Sequence, residues 1–474
     1  MFLGTMLMIP PVTALKRIFA ATLILTSICS GANAEIRKAA SASFSDVSAA
    51  VSAAGRGDTV MIPPGTVTWT STLTLSRGIN VIGAGRDLTT ITRGAGAQAI
   101  AILPDTTAIA GEETIRVEGL TLDGDNSIGY QGLIYVQGGG TTSKPFKNLA
   151  VGNCRFQNVS GFVFLLRGQN RGAIFNNDFN RCNIMFQNLG SGYTDEWSNG
   201  KFPFSYGNAD NLFFEGNTIR FSSPFAASTP GWLESGQSAR VVCRYNTWDM
   251  TNASDGTHMT TLEIFDVHGF QNWFSGNYGQ TGTMIVEFYG NTIAKASCNR
   301  TVAHRGSWGL YHNNVITGPG NNVIHALQYG VGDTGGSGCT EQVPGANGVY
   351  RAEINNTYVF NNTVNGTIKN MTPGGVYGCG IKENSHYWNF NPSFDGTSGI
   401  GRGTDAPNGD CIAGVAYWKA STPTPTIDPG VIQNGTLYKA TANNVWTAYY
   451  TPYTYPHPLT VRPTAPKNLH FVSQ

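Results

Sequence analysis

A short pattern of apolar and polar residues recurs through the middle of the chain. An apolar stretch is followed by Asn, then by any residue, and then usually by another apolar residue. A repeat that is too short to bury its own hydrophobic face must stack on its neighbours, so this recurrence predicts a solenoid. The asparagines of the pattern are Asn177, Asn217, Asn246, Asn291, Asn314 and Asn362.

The spacing of these asparagines predicts the type of solenoid. Asn291 and Asn314 are 23 residues apart, which suits one coil of a parallel β-helix, and longer intervals predict coils that carry loops. The alternative, an antiparallel sandwich, predicts frequent Asn-Gly hairpins and strands of even length. Asn tolerates the left-handed backbone of a tight corner, and stacked amides can bond to one another. We therefore expect these asparagines to stack at one corner of successive coils.

Aligning the repeats on Asn separates an inward column from an outward one, because strand side chains alternate between faces. The column three residues before Asn is largely apolar and is predicted to face the core: Ile174, Phe214, Cys243, Phe288, Tyr311 and Val359. The column two residues before Asn is predicted to face outward: Phe175, Glu215, Arg244, Tyr289, His312 and Phe360. With Glu287 on the same face, its polar members could line a groove for one polymer chain. The alternative is a solvated face with a weak Glu215–Arg244 ion pair.

The N-terminal part carries a different pattern. Apolar residues at helical spacing from Phe44 to Ala54, followed by Gly55, predict a short amphipathic helix that caps the open end of the solenoid. Short β-runs punctuated by Gly and Pro come next. The segments GDTVMIPPG (57–65), GAG (83–85) and VEGLTLDG (117–124) resemble the opening coils of the pectin-lyase-like right-handed parallel β-helix superfamily.

The resemblance implies an all-β fold: a right-handed parallel β-helix (solenoid) with a short N-terminal capping helix and long loops on one side. It does not select an activity, because that superfamily hosts lyases, hydrolases, epimerases and non-catalytic adhesins on one scaffold. We expect the long loops at 185–210 and 222–238, where Trp197 and Trp232 would form a wall beside the helix.

The ends of the chain predict its processing. Lys16 and Arg17 precede an apolar run and small residues that end at Ala34, which predicts a signal peptide over 1–34 and a secreted or periplasmic product. We expect the β-helix domain over 35–411, an aromatic-rich capping segment over 412–462 and a linker-like tail over 463–474. No stretch is long enough to span a membrane.

Composition narrows the partners. Charged residues make up 12% of the chain and the net charge is +1, so no basic surface predicts binding to nucleic acid or to an anionic membrane. Low charge with many Asn, Gly, Ser, Thr and Tyr residues suits a carbohydrate-binding β-surface, and we expect a monomer. Among the cysteines, Cys154 and Cys182 could be bridged across neighbouring coils, and Cys243 is predicted to be a free buried thiol.

Two further clusters suggest chemistry. Asp266 and His268 fall on one side of an extended run, and His304-Arg305 precedes the Asn314 coil. With Tyr289 they resemble, by residue type, the sites of β-helix polysaccharide lyases. The predicted catalytic residues are His268, Arg305, His304, Tyr289 and Asp266, and the predicted substrate-binding residues are Glu215, Arg244, Glu287, His312, Trp197 and Trp232.

These residue types admit two reactions. A lyase needs a cation to neutralise a uronate carboxylate (Arg244 or Arg305), a base (His268 or His304) and a proton donor (Tyr289). A glycoside hydrolase needs paired carboxylates, for which Glu215, Asp266 and Glu287 are the candidates. Calcium, if it binds, is expected at the same carboxylates. A third alternative is a non-catalytic carbohydrate-binding or adhesive protein.

Overall fold

The computed structural model describes residues 34–94, 98–126, 132–139, 144–189, 205–222, 231–236, 238–252, 264–268, 283–295, 301–319, 324–326, 354–373, 381–421 and 434–462, which belong to one compact unit. The predicted signal peptide and Trp197 lie outside these residues. None of the described helices is long and apolar enough to cross a membrane.

The first face of the molecule is a parallel sheet in which each coil contributes one strand. Within the described ranges its twelve strands are Ile36–Lys38, Thr59–Ile62, Asn80–Gly83, Ile115–Glu118, Phe146–Gly152, Asn170–Phe175, Leu212–Glu215, Arg240–Arg244, Ile285–Tyr289, Ser307–His312, Ile354–Phe360 and Tyr387–Asn389.

A second sheet forms the other two faces. The second face contains Gly65–Trp69, Thr89–Arg93, Thr121–Asp123, Thr218–Arg220, Thr247–Asp249, Thr292–Ala294, Val315–Thr317, Thr363–Val364 and Thr367–Ile368. The third face contains Leu73–Leu75, Ile100–Ile102, Ile134–Gln137, Trp232–Gly236, Phe265–Val267, Val302–His304, Ile324–Ala326 and Thr372–Pro373. Arg155–Arg167 and Asp178–Leu189 run through both faces. The prediction of an all-β, right-handed parallel β-helix is confirmed, and it is the fold that the resemblance implies.

The core lies between the three faces. The predicted inward column of the first face is buried and in parallel register, as from Phe214 to Cys243 and on to Phe288. Phe186, Leu233 and Phe265 form the equivalent column of the third face. Both columns belong to one hydrophobic cluster along the helix axis. Because side chains alternate along a strand, the residues on either side of an inward residue face outward.

The six repeated asparagines form the predicted ladder at the corner between the first and second faces. From Asn217 to Asn362, each side-chain Oδ1 accepts a hydrogen bond from the backbone N–H of the ladder Asn in the preceding coil, at 2.9–3.2 Å, and Asn177 Oδ1 accepts one from the Cys154 backbone N–H at 3.0 Å. One detail of the prediction is wrong, since the left-handed residue is the one before each ladder Asn; Tyr245, at φ 55°, is an example. The ladder side chains point inward. There they form hydrogen bonds with backbone groups of the turn that have no partner in a neighbouring strand.

The predicted helix spans Phe44–Ala53 at the first coils. The Ser43 hydroxyl accepts a hydrogen bond from the Asp46 backbone N–H at 3.2 Å, and Val47, Ala50 and Val51 are buried. A second, five-residue helix spans Thr106–Ala110, and a 3-10 turn spans Pro458–Thr460.

The C-terminal part packs on the outside of the first face. Ile400–Gly403, Ala416–Ala420, Gly435–Ala442 and Val445–Tyr450 form a four-stranded sheet, here called the C-terminal sheet. It begins before residue 412, because Ile400–Gly403 pairs with Ala416–Ala420. Residues 451–462, here called the strap, then run back along the first face from the coil of Arg244 to the coil of Glu118.

The described cysteines are free and buried: Cys154, Cys182, Cys243 and Cys411. The predicted Cys154–Cys182 bridge is therefore wrong, whereas the free buried thiol at Cys243 is confirmed. Cys154 lies in the turn after the first face with its Sγ 3.2 Å from the Gly152 carbonyl oxygen, while the Cys182 Sγ lies 3.4 Å from the Phe156 carbonyl oxygen. Although the two cysteines are about one coil apart in the sequence, their thiols lie at different places around the coil and do not meet.

Candidate functional site

The first-face column that was expected to line a groove is covered by the strap at Glu215 and Arg244 and by the C-terminal sheet at His312 and Phe360. Glu215 and Arg244 are 1% and 0% exposed and form an ion pair with a 2.6 Å contact. Glu215 also accepts a hydrogen bond from the His457 backbone N–H at 2.7 Å, and Arg244 donates to the Thr454 carbonyl oxygen at 2.8 Å. These groups hold the chain's own C-terminus, so the prediction of an open groove on this face is wrong.

The remaining polar residues of this face are also buried. The Tyr289 hydroxyl accepts a hydrogen bond from Arg244 at 2.9 Å, and its ring stacks on His312 with centroids 4.7 Å apart. Burial lowers the pKa of His312 to about 3. Glu287 is 1% exposed and accepts a hydrogen bond from the Gly207 backbone N–H at 2.7 Å; burial raises its pKa to about 7. The expectation that Tyr289 donates a proton beside His268 is not met, because the two residues lie on different faces.

His304 points into the core. It is paired in register with Val267, an inward position of the third face. Its Nδ1 lies 2.7 Å from the Tyr311 hydroxyl and its Nε2 3.3 Å from the Thr357 hydroxyl. Burial lowers the pKa of His304 to about 3, so it stays neutral. Because it is fully buried, it has no contact with an external substrate. The alternation of the strand that presents Arg305 outward is what turns His304 inward.

Asp266, His268 and Arg305 do come together, on the outside of the third face. His268 Nε2 lies 2.9 Å from Asp266 Oδ2, and Arg305 donates a hydrogen bond to the same oxygen at 2.7 Å. The backbone N–H groups of His268 and Arg305 continue the strand ladder, bonding to the carbonyl oxygens of Ser235 and Val267. The side chains of His268 and Arg305 are 14% and 13% exposed, so the cluster reaches the surface.

Two members of the cluster were missed from the sequence. Gln187, Glu234 and Asp266 occupy the same outward column on three neighbouring strands. Gln187 Nε2 donates a hydrogen bond to Glu234 Oε2 at 2.8 Å, and Glu234 Oε1 lies 3.2 Å from His268 Nε2. Both residues fall in the segments predicted as loops, 185–210 and 222–238. In the structure they lie in the strands Asp178–Leu189 and Trp232–Gly236, which extend into those segments. The alternation of Leu233, Glu234 and Ser235 was the sequence signal that could have indicated a strand with Glu234 facing outward.

The charges of this cluster decide the state of His268. Burial lowers its pKa, but the opposing charge and hydrogen bond of Asp266, with the contact to Glu234, outweigh burial and raise the pKa of His268 to about 10. His268 is therefore a cation at neutral pH. Two carboxylates and two cations lie side by side, with His268 between the carboxylates. We refer to Gln187, Glu234, Asp266, His268 and Arg305 as the third-face cluster.

Small and aromatic residues frame the cluster. Trp232 lies on the strand of Glu234, two residues earlier and hence on the same side, and is half-buried. Gly236 lies beside His268, and a Cβ there would be 3.4 Å from the His268 Cβ. Glycine thus allows the imidazole to lie close to the neighbouring strand.

No common metal site joins the predicted carboxylates. Glu215 and Glu287 lie under the C-terminal part on the first face, whereas Asp266 lies on the third face with Arg305 and His268. Within the described ranges, no group of three or more His, Cys, Asp or Glu side chains has the arrangement of a metal site. The three carboxylates at which calcium was expected therefore do not lie together in the fold.

Comparison with solved structures finds several similar chains. Alginate lyase from Paenibacillus sp. str. FPU-7 is 13% identical with a TM-score of 0.36, over 61% of this chain and 97% of that one. Pectin methylesterase PemA from Erwinia chrysanthemi is 11% identical with a TM-score of 0.34, over 71% and 91%. The A-module of mannuronan C-5 epimerase AlgE6 from Azotobacter vinelandii is 15% identical with a TM-score of 0.27, over 69% and 91%. No protein-family model and no curated protein matches the sequence.

Proposed function

We propose that this protein is an exported enzyme that acts on an acidic extracellular polysaccharide at the third-face cluster, by β-elimination next to a uronate carboxylate. The observation that carries the proposal is the meeting of Glu234, Asp266, His268 and Arg305 on the outer side of one face, where His268 and Arg305 are partly exposed. These residues come from three neighbouring coils, about 4.8 Å apart. A linear polymer along the helix axis can therefore contact His268 and Arg305 together, with Glu234 beside them and Asp266 buried behind both cations.

We infer the roles of these residues from their charges. Arg305 neutralises the carboxylate of the bound sugar, which makes the adjacent C–H proton acidic enough to remove. Glu234 accepts that proton, and the electron pair forms the carbon–carbon double bond while the glycosidic C–O bond breaks. His268, which is cationic at neutral pH, gives its proton to the leaving oxygen. Asp266 keeps both cations in place. His268 thus takes the role of acid instead of the expected role of base.

Trp232 has a supporting role in the proposal. Its indole lies on the side of the strand that presents Glu234, where an aromatic ring can stack on the apolar face of a sugar. An amphipathic ring there would orient the sugar without adding charge to the cluster.

One observation favours a glycoside hydrolase as the second candidate. Glu234 and Asp266 are carboxylates on adjacent strands, and both contact the same nitrogen of His268. Most glycoside hydrolases use a pair of carboxylic residues as their catalytic groups. In that case Arg305 and His268 would tune the two carboxylates, and the substrate need not be acidic. A binding protein without turnover is the third candidate.

The test is a screen of the purified protein against acidic and neutral polysaccharides, followed by both ultraviolet absorbance from unsaturated ends and new reducing ends. Unsaturated products that disappear in His268→Gln and Arg305→Ala support the proposal. Arg86→Ala, an exposed arginine in a turn away from the third face, is the matched control and should keep full activity. Reducing ends without absorbance would establish the hydrolase instead, and binding without products would establish the binding protein.

A further inference from the structure

A buried carboxyl group lies where three parts of the chain meet. Glu287 belongs to the first face and is 1% exposed. Its Oε1 accepts a hydrogen bond from the Gly207 backbone N–H at 2.7 Å, and the carboxyl also bonds to the hydroxyl of Tyr450, at the end of the C-terminal sheet. Glu287 therefore contacts both segments that pack over this part of the face. We refer to Tyr206, Gly207, Glu287, Tyr450 and Thr451 as the junction.

The segment around Gly207 fits closely between the β-helix and the C-terminal part. Gly207 has a φ of 72°, and a Cβ there would be 2.1 Å from the Thr451 carbonyl oxygen, where the strap begins. Tyr206 donates a hydrogen bond to the Asn356 carbonyl oxygen at 2.9 Å, and its ring centroid lies 6.1 Å from that of Tyr450. A displacement of Gly207 would therefore disturb the end of the C-terminal sheet and the beginning of the strap together.

No cation pairs with the carboxyl of the junction. Among the described residues Glu287 has no ion pair, and Arg244, the cation that attracts it, is bound to Glu215 with a 2.6 Å contact. Burial without a paired cation favours the neutral form of a carboxyl group. A protonated Glu287 can still accept the hydrogen bond of Gly207 and can donate one to the Tyr450 hydroxyl. The closed junction therefore suits the protonated form of Glu287.

The other titratable groups around the junction do not change charge near neutral pH. Those that interact electrostatically with Glu287 come from the first face, the Gly207 segment and the C-terminal sheet, and are Arg244, Tyr289, Tyr206 and Tyr450. Arginine stays charged, and burial raises the pKa of all three tyrosines. Burial lowers the pKa of His312, which reaches Tyr450 at 3.2 Å, to about 3 and that of His457 on the strap to about 4. Burial raises the pKa of Glu287 to about 7, so it is the member of this set that titrates near neutrality.

We propose that Glu287 is a pH-dependent latch for the C-terminal part of the protein. When it is protonated, it holds the junction closed. When it is ionised, the buried charge loosens the junction, and the end of the C-terminal sheet and the beginning of the strap open from the first face. The latch is independent of the proposed function, since none of its residues belongs to the third-face cluster.

The direction of the pH dependence follows from proton binding. The closed junction raises the pKa of Glu287 from 4.5 to about 7, so its contribution to stability is complete below pH 4.5 and is lost as the pH rises through 7. The difference in pKa corresponds to a fall of up to about 300-fold in the equilibrium constant for closing the junction, relative to a side chain that cannot ionise. The latch thus favours a docked C-terminal part in acidic surroundings and a looser one in alkaline surroundings.

Hydrogen exchange of the full chain, followed by mass spectrometry from pH 5 to pH 9 and corrected for the intrinsic exchange rate, measures the opening of the junction. In the wild type, protection of peptides that cover 205–211 and 445–455 should fall about tenfold or more, with a midpoint near pH 7. Glu287→Gln keeps the shape of the side chain but cannot ionise, so it should show no such transition. Glu383→Gln, which replaces an exposed glutamate, is the matched control and should behave as the wild type does.

Tyr450→Phe tests the latch while keeping its carboxyl group. The hydrogen bond from Tyr450 lowers the pKa of Glu287, so its loss should move the midpoint of the transition to a higher pH. A midpoint that stays in place or moves to a lower pH would contradict this contact.

Three results of the exchange experiment would overturn the latch. The first is a transition of equal size in the wild type and in Glu287→Gln, and the second is the absence of a transition in the wild type. The third is a loss of protection that is as large in Thr89–Arg93, a strand of the second face, as in the two junction peptides. In that case Glu287 would act on the stability of the whole molecule and not on the junction.

Discussion

Replacement of Asn246 by Ala tests the asparagine ladder at its centre. The Asn246 side-chain Nδ2 donates to the Phe214 carbonyl oxygen at 2.9 Å and to Asn291 Oδ1 at 3.0 Å. Its Oδ1 accepts from the Asn217 backbone N–H at 2.9 Å and from Asn217 Nδ2 at 3.0 Å. The residue is 1% exposed, so water cannot readily replace these partners.

The expected cost of Asn246→Ala follows from what each partner keeps. Asn217 Nδ2 still donates to the Ile174 carbonyl oxygen, and Asn291 Oδ1 still accepts from the Asn246 backbone N–H. The Asn217 backbone N–H, in contrast, loses the partner that it has in the turn. One buried donor left unsatisfied, together with the other lost hydrogen bonds, gives a loss of about 2–4 kcal/mol in the free energy of unfolding.

Urea unfolding followed by tryptophan fluorescence measures this loss, with Asn180→Ala as the matched control. Asn180 also bonds to a neighbouring coil, through Ser222 at 3.0 Å, but at the surface. Its replacement should cost less than about 1 kcal/mol, since water takes over both hydrogen bonds. If the two variants lose the same amount, the buried ladder does not stabilise the corner in the way argued.

Three further predictions concern the core, the cluster and the thiols. Phe288→Ala should cost about 3–5 kcal/mol in urea unfolding, because it leaves a cavity in the inward column of the first face, and a loss below about 1 kcal/mol would contradict its core position. The pKa of His268 rises from 6.5 to about 10 on folding, so its contribution to stability is complete below pH 6.5 and is lost as the pH rises through 10. Between these pH values the melting temperature of His268→Gln should therefore fall less than that of the wild type. Parallel curves of melting temperature against pH for the two proteins would refute the ion contacts of His268. Cys154 and Cys182 should resist a thiol reagent until the protein unfolds, because burial raises the pKa of both thiols; rapid labelling of the native protein would show that they are accessible.

The sequence predicted the parts of the fold that repeat. The period of the asparagines and the apolar column three residues earlier are local signals, and both follow from one coil stacking on the next. The meeting of Asp266 and Arg305 was also predictable, because each lies a fixed distance from a coil whose register the asparagines set. Glu234 was not, since its strand has no Asn after it and lies within a stretch that resembles a loop.

The burial of the first-face column could not be predicted from the repeats. Glu215 and Arg244 have the outward register that was expected, and only the strap, more than 200 residues later in the chain, removes them from water. A strand pattern indicates which side of a sheet a residue faces. It does not indicate which distant segment packs on that side, because that depends on contacts such as the one between Glu215 and the His457 backbone.

The strap has a consequence for how the molecule unfolds. In a solenoid each coil contacts only its neighbours, so the terminal coils can fray while the middle stays folded. The strap instead ties the coil of Glu118 to that of Arg244, four coil spacings or about 19 Å apart. Coils between these two points cannot separate without detaching the strap, so this part of the molecule should unfold as one cooperative unit under heat, denaturant or mechanical force.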